Sequence, residues 1–101
     1  MSLVYEYSFL SEAEEEYIDA IRWYSKINTT LAAKLIEDFN KVISRICVNP
    51  SAQPIYFKHY HKLNLENFPF KIVYKVFDNI VLIVAIAHHK QKPKYWRKRK
   101  L

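Results

Sequence analysis

The sequence predicts an α+β domain in which a helix hairpin covers one face of a four-stranded, largely antiparallel sheet. Three observations lead there. Apolar residues recur at helical spacing in two successive stretches between residues 12 and 46, the periodicity changes to two from residue 55 onward, and a short alternating stretch at 4–9 precedes the helices. The order is therefore strand, helix, helix, strand, strand, strand. Apolar stripes on both helices require a sheet beneath them. The 101 residues leave room for one domain, spanning 1–101 with a basic C-terminal segment at 88–101, and no internal repeat is seen.

Each element has a local cause. Residues 4–9 alternate aromatic and apolar side chains with Glu6 and Ser8, as a short strand does. Ser11 and Glu14 have the spacing of a capping box, and Glu12, Glu14, Glu15 and Glu16 crowd the positive end of the following helix dipole. Ala13, Tyr17, Ala20, Ile21 and Tyr24 share one face of a helix over about 12–27. Trp23, Tyr24 and Tyr17 are read as packing residues of that helix. Asn28-Thr29-Thr30 breaks the pattern and caps a second helix, whose stripe is Leu31, Leu35, Phe39, Val42, Ile43 and Ile46. A link of two or three residues makes the pair an antiparallel hairpin.

After Asn49-Pro50 and a loop at 51–54, residues 55–65 read as one polar strand. Residues 70–77 place Phe70, Ile72, Tyr74 and Val76 on one face, with Lys71, Val73, Lys75 and Phe77 on the other. Asp78-Asn79 is the turn into an unbroken apolar run at 80–87, as in a central strand buried on both faces. There Val81, Ile83 and Ala85 are expected to alternate in facing with Leu82, Val84 and Ile86. The chain contains no glycine, so Asn, Asp, Ser or Pro is expected at every tight turn.

Composition narrows the function classes. Half the residues are hydrophobic, which excludes a disordered chain. Cys47 is the lone cysteine and cannot close an internal disulfide, which suits a reducing compartment. No basic-then-apolar leader opens the sequence, and the run at 80–87 is too short to span a bilayer. The expectation is a cytoplasmic protein with no membrane partner. The net charge of +6 is unevenly placed: residues 1–57 hold five bases and eight acids, whereas residues 58–101 hold eleven bases and two acids. Such asymmetry points to an anionic partner, a nucleic acid or an acidic protein segment.

Several motifs, in order, carry a family resemblance. Trp23-Tyr24, Asn49-Pro50, Phe68-Pro69-Phe70-Lys71-Ile72-Val73-Tyr74, Ile86-Ala87-His88-His89 and Pro93-Lys94-Tyr95-Trp96 stand as in the RelE/ParE toxins, also described as plasmid-stabilisation proteins. The chain resembles that superfamily from its first strand to Trp96. The resemblance implies a microbial-RNase-like fold, a cognate antitoxin as partner, growth arrest by the free toxin and no cofactor. RelE-like members cleave mRNA on the ribosome, and ParE-like members poison DNA gyrase without being nucleases. Where RelE-like members carry a functional Arg just past the loop, this chain has Lys71. His89 stands at the second Arg position and Tyr95 at the functional Tyr. A further Arg position is His61, beside Lys62.

Cleavage of RNA through its 2′-hydroxyl needs a base, an acid and cations near the phosphate. Histidine suits the proton roles and lysine the electrostatic one. The expected catalytic set is Lys71, His89, Tyr95, Lys62, His61 and His88, converging on the open sheet face. The competing reading is that these residues keep a strand face and its edge soluble. Lys58, Lys92, Lys94, Trp96, Arg97 and Arg99 are the expected nucleic-acid contacts, since bases interleaved with aromatics can grip a strand by charge and stacking. The same C-terminal residues could equally dock that segment on the sheet. His59, His61, His88 and His89 have neither a Cys pair nor a nearby carboxylate, so no metal is expected. Three readings stay open: an mRNA-cleaving toxin, a gyrase inhibitor, and a non-toxic nucleic-acid-binding module.

Overall fold

The structure, a computed structural model, describes residues 4–101. Residues 1–3, the start of the stretch read above as lacking a leader, lie outside the described residues. Strand β1 (Glu6–Phe9) leads into helix α1 (Ser11–Ile27) and helix α2 (Thr29–Val48). A short 3-10 turn, Pro50–Ala52, precedes β2 (Ile55–Phe57), β3 (Tyr60–Asn64), β4 (Phe70–Phe77) and β5 (Ile80–His88). The α+β class and the helix hairpin are as the sequence predicts. The sheet has five strands rather than four, in the order β1-β5-β4-β3-β2. β1 runs parallel to β5, and the remaining neighbours are antiparallel.

The helix link is a single residue, shorter than expected. Asn28 has extended backbone, donates its amide to the Tyr24 carbonyl at 2.9 Å, and accepts the Thr30 amide on its side chain at 2.7 Å. One asparagine thus ends α1 and starts α2. The capping box at Ser11 does not form. Leu10 is the N-cap and accepts the Glu14 amide on its carbonyl at 3.0 Å, while the Ser11 hydroxyl donates to Glu12. Leu10 is tied to β5 through the Ile83 carbonyl and packs into the core, so tertiary contact moves the helix start one residue earlier.

Helix-facing side chains close one core. Phe39 stacks on Tyr17 and Phe9, above Ile72, Tyr74, Val81 and Ile83 of the sheet. The buried Asp38 carboxylate accepts the Glu66 and Asn67 amides at 3.0 and 2.8 Å, pinning the β3–β4 loop to α2. The Tyr74 hydroxyl donates to the Pro50 carbonyl at 2.6 Å.

Three local departures share a tertiary cause. Residues 55–65 form two strands, because the chain reverses at Lys58-His59 and pairs Phe57 with Tyr60. That reversal gathers Tyr56, Phe57 and Tyr60 around Trp96. A bulge then breaks the alternation of β5: Val73 pairs with Ala85, but Tyr74 pairs with Ile83. Val84 and Ala85 both serve the second core with Trp96, and Ile86 returns to the helix side. Beyond the bulge the expected facing of Ala85 and Ile86 is therefore inverted. Lastly, Lys58 (φ 51°) and Lys94 (φ 59°) take left-handed backbone together with Asp78 (φ 49°). Two of these are outside the residue types expected at turns, at a cost of roughly 1–2 kcal/mol each.

Candidate functional site

The face of the sheet opposite the helices is closed by the C-terminal segment. Trp96 lies at its centre, 1% exposed, over Val73, Val84 and Ala85. Successive turn bonds at 93–99 hold the segment compact: the Tyr95, Arg97 and Arg99 amides donate to the carbonyls three residues before them. The segment is anchored by Glu16 of α1. Glu16 Oε1 accepts the Ile86 amide at 3.1 Å and Arg99 Nη1 at 2.9 Å; Oε2 accepts Arg99 Nη2 at 2.8 Å and the Tyr95 hydroxyl. Arg99 Nη1 also reaches the Val84 carbonyl at 2.9 Å. β1 stops pairing with β5 at Ile83, so Glu16 and Arg99 satisfy backbone groups that the missing strand leaves open. Burial and the Glu16 hydrogen bond push the Tyr95 hydroxyl well above the usual phenol range, and the same carboxylate raises Arg99.

The expected catalytic residues separate onto two faces. Lys62 pairs across strands with Val73, and Lys71 shares Val73's side of β4, so both face the C-terminal segment. His61 pairs with Tyr74 and stacks on it at 5.2 Å, facing the helix side, with Nδ1 against the Gln53 carbonyl at 2.9 Å. His88 pairs with Phe70, also on the helix side, and lines a groove with Trp23, Tyr24 and Ile86. His89 is exposed beyond the end of β5, its amide held by the Pro69 carbonyl. Tyr95 is occupied by Glu16. The convergence of six side chains at one open face is not found. A one-residue step along a strand reverses its facing, which parts His61 from Lys62.

The expected nucleic-acid contacts divide as well. Trp96 is core and has no open ring face, and Arg99 is a clamp whose side chain is only 16% exposed. Lys92 and Arg97 are exposed on the segment. Lys58 and Lys94 hold their ammonium groups over the Phe57 ring at 5.2 and 5.0 Å. Lys62 and Lys71 do the same over Tyr56 at 4.3 and 5.3 Å, and Lys75 over Tyr60 at 5.7 Å. The sequence reading missed two features. Glu16 looked like any of four carboxylates in the first helical turn, and its half-burial is what distinguishes it. The tyrosines under the lysines became visible only once residues 55–60 folded back. Trp23, read as packing, is 64% exposed and lines the groove that it shares with His88.

A small α+β domain with lysines around a sheet face that a clamped basic C-terminus covers is thus defined by geometry. Residues 7–93 match the family described as the ParE toxin of the type II toxin-antitoxin system, parDE, and the chain belongs to that family. The fold is similar to that of a chain from the chromosomal ParDE TA system of P. aeruginosa, with a TM-score of 0.71 and 17% identity over 84% of this chain and 96% of that one. No curated protein matches the sequence. Among the described residues, no helix is long and apolar enough to cross a membrane.

Proposed function

We propose that this toxin is neutralised by a cognate antitoxin and acts by inhibiting DNA gyrase, not by cutting mRNA. The observation that carries the reading is the separation of proton-transfer groups from lysines. His61 and His88 lie on the helix side of the sheet, Lys62 and Lys71 on the other, and the Tyr95 hydroxyl is bound to Glu16. A general acid or base must come within hydrogen-bond reach of the proton it moves, and neither His61 nor His88 shares a face with Lys62 and Lys71. Membership of the ParE family supports the same target.

The antitoxin has an apolar footing away from the lysines. Beside the free edge of β1, the exposed side chains Val4, Tyr7 and Val48 offer surface that a partner segment would cover. The test is paired. Purified toxin should inhibit supercoiling of relaxed plasmid by gyrase, and should leave a reporter mRNA uncut by primer extension in a translating extract. Cut mRNA with gyrase unaffected would overturn the proposal. Soluble expression without antitoxin should arrest growth, and co-expression should restore it.

A further inference from the structure

We infer that the sheet face opposite the helices is a binding surface for the phosphate backbone of duplex DNA, built from Lys58, Lys62, Lys71, Lys75 and Lys94. Lys62 stands opposite Val73, one strand over and midway between Lys71 and Lys75. That register sets the Lys62 position about 7–8 Å from each of the Lys71 and Lys75 positions across the strand pair, so three cations share one stretch of the face. Lys58 and Lys94 extend it across Phe57 at the sheet edge. Each of the five sets its ammonium over an aromatic ring, with Lys58 exposed and Lys62, Lys71, Lys75 and Lys94 partly buried. None of the five forms an ion pair among the described residues, and strands β2, β3 and β4 contain no acid. Of the acids near this face, Glu66 is engaged by Lys41 and Arg45 and Glu16 by Arg99, while Asp78 stands in the β4–β5 turn with no ion pair among the described residues.

The chemistry of the surface selects its ligand. Single-stranded nucleic acid binds by stacking bases on open aromatic faces. Here Trp96 is buried, and the Tyr56, Phe57 and Tyr60 rings are half-buried beneath ammonium groups, so stacking is not offered. An acidic protein segment would gain its affinity from apolar contacts as well as charge. Phe77, beneath the Lys75 ammonium, is exposed on this face, but most of the exposed large apolar side chains lie at β1 and on the two helices. Lysine point charges without Arg forks suit a continuous row of phosphates read without regard to base sequence. The choice of DNA over RNA rests on the gyrase reading, since that enzyme's substrate is duplex DNA.

The experiment is a salt titration of the full chain with a short labelled DNA duplex of arbitrary sequence, followed by fluorescence anisotropy. Five phosphate contacts predict a slope of log K against log salt of about −4.5, a loss on the order of 10²–10³-fold between about 50 and 200 mM salt. The triple variant Lys62→Gln/Lys71→Gln/Lys75→Gln should flatten the slope to about −2 and shrink that loss to about tenfold. The charge-matched triple Arg22→Gln/Lys26→Gln/Lys34→Gln, on the helices, should keep the parent slope. Replacing the three sheet lysines by Arg should keep it too, which separates loss of charge from loss of folding. Equal flattening by both Gln triples, or no salt-dependent binding by the parent, overturns the inference. Tighter binding to an RNA duplex, or to a polyglutamate peptide, overturns the choice of ligand. Gyrase is absent from the assay, so its outcome is independent of the supercoiling test.

Discussion

On one side of the sheet, α1 brings Ala13 and Ala20, and α2 brings Leu35, Phe39, Val42, Ile43 and Ile46, down onto Ile72, Tyr74, Val81 and Ile83, all buried. On the other, one tryptophan and a run of turns cover Val73, Val84 and Ala85, and Glu16 holds the cover down. The first face is closed by apolar area that many residues share. The second is centred on one carboxylate and on one buried aromatic, ringed by half-buried ones, whose indole Nε1 has no hydrogen-bond partner among the described residues. The difference teaches where function can sit. A face closed by few contacts leaves its surroundings open, and the lysines stand in that opening.

Truncation should break the two faces differently. Phe39→Ala should cost about 3–5 kcal/mol of global stability, read by denaturant unfolding, because its contacts join both helices to the sheet. Trp96→Ala removes a still larger side chain, but the C-terminal segment can open while the helix-side core persists, which limits the global loss. Hydrogen exchange should rise at Ile86 and along residues 93–99, with α2 still protected. Uniform loss of protection across both faces would show that they do not open separately.

Glu16→Gln should come next. It leaves Arg99 without its charge partner, and the effect should fall below the ~3–5 kcal/mol seen for fully buried pairs, since the two side chains are 16% and 20% exposed. The readout that sharpens the comparison is again local, namely exchange at the Ile86 amide. An unchanged amide would mean that the carboxylate does not hold the segment.

Alkaline pH tests both faces in one titration. Burial raises Tyr17 to about 12 and pushes Tyr74 and Tyr95 higher still. The neutral phenol is thus favoured in the folded state, so its contribution is whole below pH ~10, the ordinary tyrosine value, and is lost as pH climbs through the raised values. Phenolate absorbance should keep increasing above the range of a free tyrosine while thermal stability falls. In Tyr95→Phe the part of that late rise due to the C-terminal face should vanish. The smallest effect is expected at Trp23, 64% exposed: Trp23→Ala should change stability by no more than about 0.5 kcal/mol. Its fluorescence should be open to acrylamide, whereas that of Trp96 should be shielded.

What was legible from sequence followed from periodicity. The helix stripes, the alternation of Phe70, Ile72, Tyr74 and Val76, and the buried run at 80–87 are local patterns set by backbone geometry, and they specify an α+β domain with a helix hairpin. The charge split was equally plain, because it needs only counting. Tertiary structure alone decided which cations share a surface. The bulge at Val84 inverts facing within β5, and the reversal at Lys58-His59 places Tyr56 and Tyr60 beneath lysines. It also decided that Glu16, Tyr95 and Arg99, up to 83 residues apart in sequence, form one clamp. Facing and long-range pairing depend on which groups the fold leaves unsatisfied, and that is a property of the packed chain.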